Sequence, residues 1–165
     1  MRKIRKYPEN VLRKEAEIVD NIDGKIFKLI KSMKETLLSV NGVGLAAPQV
    51  GVSKRIFIAY DREKENLITV INPEIIEIRG EDIDIEGCLS FPEIYFSIKR
   101  GKEVFLKGIN EYGKEIMVDG KNLMARCFQH EIDHLNGVLI IDYATEEEKK
   151  FYREKLNILM KKSKK

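Results

Sequence analysis

Apolar residues recur at helical spacing first at Ile26, Phe27, Ile30, Met33, Leu37 and Leu38, which predicts an amphipathic helix that stops at the Asn41-Gly42 pair. Downstream the period shortens. Runs rich in β-forming residues at Arg55 to Tyr60, Leu67 to Ile71 and Ile75 to Arg79 read as strands, separated by Asp61 to Asn66 and by Asn72-Pro73. Glu103 to Ile109 and Lys114 to Val118 flank a turn at Asn110 to Gly113 and read as a hairpin, which Asp119-Gly120 closes before the next element. That element is a second helix ending near Asn136-Gly137. Its Leu123, Phe128, Ile132 and Leu135 are spread around the axis, which places it inside a shell of strands rather than on the surface. Thr145-Glu146-Glu147-Glu148 then opens a terminal helix with a capping box and acids at the positive helix end. The pattern predicts an α+β fold, with antiparallel or mixed sheets around a central helix and a further helix towards each terminus.

Length changes this picture little. The chain has 165 residues and no Ser/Gly/Pro-rich linker or repeat, so a single domain over 1–165 is expected. Charged residues make up 35% of the chain and glutamine occurs only at positions 49 and 129, a composition that accords with a heat-adapted source or with genomic base bias. A net charge of +3 does not by itself decide whether nucleic acid is bound, and no DNA partner and no membrane partner are expected. Met1-Arg2-Lys3-Ile4-Arg5-Lys6 is basic, yet no apolar run follows it as a signal peptide requires, and no stretch is suited to spanning a membrane. Two cysteines give no disulfide framework, which favours a reducing cytoplasm.

The chemistry is concentrated in three short segments. The only two histidines stand four residues apart in Gln129-His130-Glu131-Ile132-Asp133-His134, so on a helix both imidazoles share one face and Glu131 borders it. This HExxH spacing suits a catalytic metal. Two imidazoles leave a divalent ion under-coordinated, and a hydrolytic site needs a third protein ligand plus one open position for water. Cys88, in Glu86-Gly87-Cys88-Leu89-Ser90-Phe91-Pro92, lies in a sharply shaped segment at a strand end and is a plausible third ligand. Cys127, in the apolar run Met124-Ala125-Arg126-Cys127-Phe128, reads as a buried, unligated thiol. The remaining segment is Gly42-Val43-Gly44-Leu45-Ala46-Ala47-Pro48-Gln49-Val50-Gly51. Position 47 is not glycine and no strand precedes the segment, so it is no phosphate cradle. Its glycines suggest close backbone approach, with Gln49 as a neutral hydrogen-bond donor.

In this order, GxGLAAxQ at Gly42 to Gln49, EGCLS at Glu86 to Ser90 and QHExxH at Gln129 to His134, the chain resembles the peptide deformylases, which remove the formyl group from N-formylmethionine at the start of new bacterial polypeptides. The resemblance runs from Tyr7-Pro8 to the C-terminal helix. It implies that Cys88, His130 and His134 hold one divalent metal, natively Fe(II), with zinc, nickel or cobalt as possible substitutes. It implies Glu131 as general base and acid towards a hydroxide on that metal, and Gln49 with the backbone N–H of Leu89 as stabilisers of the oxyanion. Val43, Gly44, Glu86 and Gly87 are the candidate substrate contacts, and formyl-Met nascent peptides the partners. A ribosome contact through the basic C-terminal end, Lys161-Lys162-Ser163-Lys164-Lys165, is implied too, against the plainer reading of a frayed solubilising tail.

Plainer readings stand beside the others. His130 and His134 could be ordinary helix-face histidines, Glu131 a solvated residue, and Cys88 a small core residue. An HExxH peptidase usually takes its third ligand downstream, whereas Cys88 is upstream; a structural metal module would close the fourth position and leave Glu131 no water to deprotonate. Two positions depart from the family pattern. Phe91 stands where relatives are often aliphatic, and Tyr95 where some carry an arginine that contacts the peptide. Arg100 is read as a solvated surface arginine.

Overall fold

The computed structural model describes residues 1–164, so Lys165, the last of the C-terminal lysines, lies outside the described residues. Helix α1 (Gly24–Ser39) begins where the Asp23 side chain accepts a hydrogen bond from the Ile26 backbone N–H at 3.0 Å. It ends where Asn41 takes a left-handed φ of 52° and Gly42 N–H returns to the Leu37 carbonyl. The buried stripe is Leu29, Ile30, Met33 and Leu37, while Phe27 and Leu38 of the predicted stripe face solvent.

Five strands form one antiparallel sheet in the order β1 (Gly44–Ala46), β2 (Ile56–Asp61), β3 (Asn66–Arg79), β6 (Glu103–Ile109) and β7 (Glu115–Lys121). Strand β2 explains the layering. Its Ile56 and Ile58 pack with α1, and its Phe57 and Ala59 with helix α2 (Leu123–Leu135), so the sheet is buried on both faces and reads as one apolar run. The two strands expected around Asn72-Pro73 are one. Asn72 adopts φ 51° inside a bulge of β3, where its backbone N–H donates to the Arg55 carbonyl and its side-chain amide pairs with both the N–H and the C=O of Val19, tying the bulge to the N-terminal segment. The hairpin closure expected at Asp119-Gly120 is also corrected. Strand β7 continues through both residues to Lys121, and Gly120 is required there because a Cβ would stand 2.6 Å from the Phe128 ring.

More than one sheet is expected from the pattern, but the strands of the second one are not among the runs the sequence marks. This second sheet is the hairpin of β4 (Asp82–Cys88) and β5 (Phe91–Arg100), in which Phe91, Ile94, Phe96 and Ile98 face a core with Leu12, Leu139, Ile140, Leu156 and Leu159. Strands β1 and β4 are both edges. The C-terminal helix is broken into α3 (Glu146–Phe151) and α4 (Arg153–Ser163) at Tyr152, after the predicted capping box between Thr145 and Glu148. Helix α2 lies between the two sheets with Phe128 and Leu135 fully buried, as its all-round apolar pattern requires. Among the described residues no helix is long and apolar enough to cross a membrane.

Candidate metal centre

Three elements meet at one cavity of about 620 Å³, lined by Val43, Gly44, Gln49, Glu86, Gly87, Cys88, Leu89, His130 and Glu131 among others. The ten candidate site residues thus come together, nine in its wall and His134 behind His130 with 1% exposure. Cys88 ends β4, and Leu89-Ser90 form the tight turn to Phe91. His130, Glu131 and His134 project from α2, with ring centroids 4.9 Å apart for the two histidines.

The ligand geometry follows from this convergence. Cys88 Sγ lies 3.3 Å from His134 Nε2, which lies 3.2 Å from His130 Nε2, and the three donor atoms fall within 4.8 Å of one another. A tetrahedral ion at usual metal–ligand lengths spaces two nitrogens by about 3.3 Å and a nitrogen from a sulfur by about 3.6 Å. The donors therefore need only shifts of tenths of an ångström for those pairs. Cys127 is absent from the cluster. Its Sγ approaches the Val43 carbonyl at 3.6 Å, and burial with the nearby Glu131 pushes its thiol well up, so it stays a neutral packed group as expected.

Charge also favours a cation. Burial lowers the His130 pKa, but the Cys88 sulfur and the Glu86 and Glu131 carboxylates outweigh it and push it well up. Burial and the His130 charge push His134 down, so it stays neutral. The negative groups that push His130 up would equally favour a divalent ion among the three donors. Glu131 is 1% exposed and its Oε1 has no partner among the described residues; burial raises its pKa to about 7. A carboxylate so placed can take and return a proton near neutral pH.

Glu86 orients the first histidine. Its Oε2 accepts from His130 Nδ1 at 2.8 Å and from Arg100 Nη2 at 2.6 Å, while Oε1 accepts from Arg100 Nε at 3.1 Å and Arg126 Nη1 at 3.2 Å. With Nδ1 so engaged, His130 turns Nε2 to the cluster. Burial would push Glu86 up, but the hydrogen bonds from His130 and Arg100 hold it down at about 2. Arg100 is therefore no surface residue: it is 6% exposed, and its Nη1 reaches Asp133 at 2.6 Å and the Tyr143 hydroxyl at 3.2 Å. The expectation failed because Arg100 continues the buried alternation of β5, a strand that sequence reasoning left undrawn. That alternation was the signal for Arg100; Arg126 had none beyond its place one turn before His130. Replacing Arg100 with methionine strips a buried carboxylate of its main partner and is expected to destabilise the protein by about 3–5 kcal/mol in urea unfolding. Metal affinity, read by competitive chelator titration, should fall about 10–100-fold because His130 loses its fixed orientation.

Gln49 is held ready as a donor. It is 1% exposed in the 3-10 turn Ala47–Val50, its Oε1 accepts from Ala46 N–H at 3.0 Å, and its Nε2 points at Ser90 Oγ (3.2 Å) and Cys88 Sγ (3.6 Å). Gly44 matters for what it lacks. A Cβ there would stand 2.6 Å from Cys127 Sγ and 2.7 Å from Glu131 Oε2. Gly44→Ala is expected to displace the Glu131 carboxylate and lower turnover about 10²-fold, since displacements near 1 Å can cost that much. Steady-state kinetics with metal analysis checks this, and the metal content should hold.

Residues 1–150 match the family model described as polypeptide deformylase. The peptide deformylase of Thermodesulfovibrio yellowstonii is 46% identical over 155 residues, covering 92% of this chain and 94% of that protein. The peptide deformylase of Halothermothrix orenii is 52% identical over 139 residues, covering 84% and 90%. Among solved structures, a peptide deformylase from Legionella pneumophila superposes with a TM-score of 0.91 at 38% identity, covering 100% of this chain and 98% of that one.

Proposed function

Since the chain belongs to the polypeptide deformylase family, we propose that it removes the N-formyl group from the formylmethionine that begins new polypeptides, releasing formate. The observation that carries this reading is the convergence of Cys88, His130 and His134 beside the unpartnered Glu131 in one cavity. Residues 1–165 act in it as one catalytic unit in the cytoplasm.

When bound by Cys88, His130 and His134, a divalent ion supplies Lewis acidity, polarising a carbonyl and lowering the pKa of nearby water to about 7. Fe(II) is the native ion in this reading. Glu131 takes the proton of the attacking water at its free Oε1 and delivers it to the departing methionine amine. Gln49 Nε2 and the Leu89 backbone N–H donate to the formyl oxygen as it gains charge, each such donor being worth about 3–4 kcal/mol of barrier. The peptide lies extended between the free edges of β1 and β4, where Val43-Gly44 and Glu86-Gly87 offer backbone groups. The Glu86 side chain serves His130 instead, because its oxygens are taken up by two arginines and that ring.

The test is to load the protein anaerobically with Fe(II) and measure formate released from a formyl-Met peptide. Stoichiometric formate and free methionine N-termini are expected. An inactive, fully metallated protein would overturn the reading.

A further inference from the structure

Three consecutive residues near the N-terminus run between the two segments that bear the oxyanion donors. Arg5 N–H donates to the Gln49 carbonyl at 2.7 Å, Lys6 Nζ to the Leu89 carbonyl at 2.9 Å, and Tyr7 N–H to the Ser90 carbonyl at 3.0 Å. The segment is fixed at both ends. Upstream, Arg2 N–H donates to Thr36 Oγ1 and Arg2 Nε to Ser32 Oγ, each at 2.8 Å, tying it to α1. Downstream, the Tyr7 ring stacks on Phe91 with centroids 4.8 Å apart.

Gln49 follows the end of β1 in the five-stranded sheet, whereas Leu89 caps the β4–β5 hairpin of the other sheet. Their separation is therefore not set by any one ladder. Among the described residues the hydrogen bonds from Gln49 to the hairpin come from its side chain, at Ser90 Oγ and Cys88 Sγ. Of the three bridging residues Lys6 alone lines the cavity, and its bond is to the carbonyl of the very residue whose N–H serves as donor. The ammonium is partly desolvated, and burial lowers its pKa, against the raising effect of the Cys88 charge.

We propose that Lys6 is a positioning residue for deformylation: by holding the Leu89 carbonyl it fixes the Leu89 backbone, and with Arg5 and Tyr7 it keeps the Leu89 N–H and the Gln49 amide at the separation the formyl oxygen needs. This rests on the function proposed above. A preorganised donor loses most of its effect when it can drift, because the compensation must then be found during the reaction itself.

The experiment compares wild type, Lys6→Met and Lys6→Arg, each loaded with Fe(II), for kcat and KM on a formyl-Met peptide. Hydrogen exchange of the Arg5 and Tyr7 amides and the metal content are measured alongside. Lys6→Met should lower kcat about tenfold with KM within about twofold and metal retained, and should speed exchange at the Tyr7 amide at least about fivefold while α1 is unchanged. Lys6→Arg, which keeps a charged donor, should recover most of kcat. A Lys6→Met kcat within about twofold of an active wild type overturns the positioning role and leaves the function standing, as does a raised KM with kcat kept, which would make Lys6 a peptide contact. An inactive wild type overturns both. If Lys6→Met does not fold, Lys6→Gln replaces it under the same thresholds.

Discussion

Glu131→Gln is expected to lower formate release by about 10³-fold, within the 10²–10⁴ range typical of a positioned acid–base group. At 1.36 kcal/mol per decade this is about 4 kcal/mol of barrier. The amide fills the same space but cannot take a proton, so KM and metal content should stay near wild type. A second consequence has the opposite sign. The folded protein raises this carboxyl from 4.5 to about 7 by burying it, so between those values the metal-free native state binds a proton that the unfolded chain has released. The contribution of this carboxyl to the stability of the metal-free protein then falls as pH rises through that window, and the Glu131→Gln variant lacks that contribution. Urea unfolding of both metal-free forms at pH 4.5 and 8 checks it: the variant should gain on wild type by roughly 2–3 kcal/mol at the higher pH. A residue that is active at the cost of its own burial energy behaves in this way, and a merely solvated helix glutamate would not.

Cys88→Ala is the other large effect. The substitution leaves two imidazoles, and a divalent ion held by two nitrogens loses the one anionic donor in the set. Loss of an outer partner alone typically weakens metal binding 10–100-fold, so loss of the sulfur should exceed about 10²-fold and abolish turnover at micromolar metal. Excess metal should restore little, because the empty position also removes the charge that balances the ion. The same treatment applied to Cys127→Ala separates the two thiols. Cys127 packs against Val43 and Gly44 away from the donor cluster, so that variant should keep its metal.

How much of this was legible beforehand depends on how local each signal was. The HExxH helix carried its own spacing, and its enclosure followed from Leu123, Phe128, Ile132 and Leu135 pointing all ways; the structure buries the last three, leaving Leu123 half exposed at the cavity. Helix α1 was legible from its stripe, though Phe27 and Leu38 proved to be exposed beside it. The β4–β5 hairpin was not. Strand β4 shows Ile83 and Ile85 to solvent, 69% and 65% exposed, so its apolar residues mark the outer face and invert the usual reading. Strand β5 alternates cleanly from Ile94 to Arg100, but its buried series ends in an arginine, and an arginine at a buried position is judged by partners that only folding supplies. The same limit hid Lys6. Its role depends on a carbonyl 83 residues away, and nothing in its neighbours along the chain marks it.

The Asn72-Pro73 pair shows the converse error. Turn residues there signalled a break, yet the strand continues through a bulge in which the Asn72 side chain is held by the Val19 backbone of the N-terminal segment. Local chemistry was read correctly and its tertiary use was not.

The central claim is that one sulfur and two ring nitrogens from distant parts of the chain bind a single ion and leave a position for solvent. X-ray absorption on the zinc-loaded protein addresses it most directly. The account expects one sulfur at about 2.3 Å, two imidazole nitrogens at about 2.0–2.1 Å and one further light atom, with the sulfur lost in Cys88→Ala. A shell without sulfur, or one closed by a fourth side chain, would contradict it.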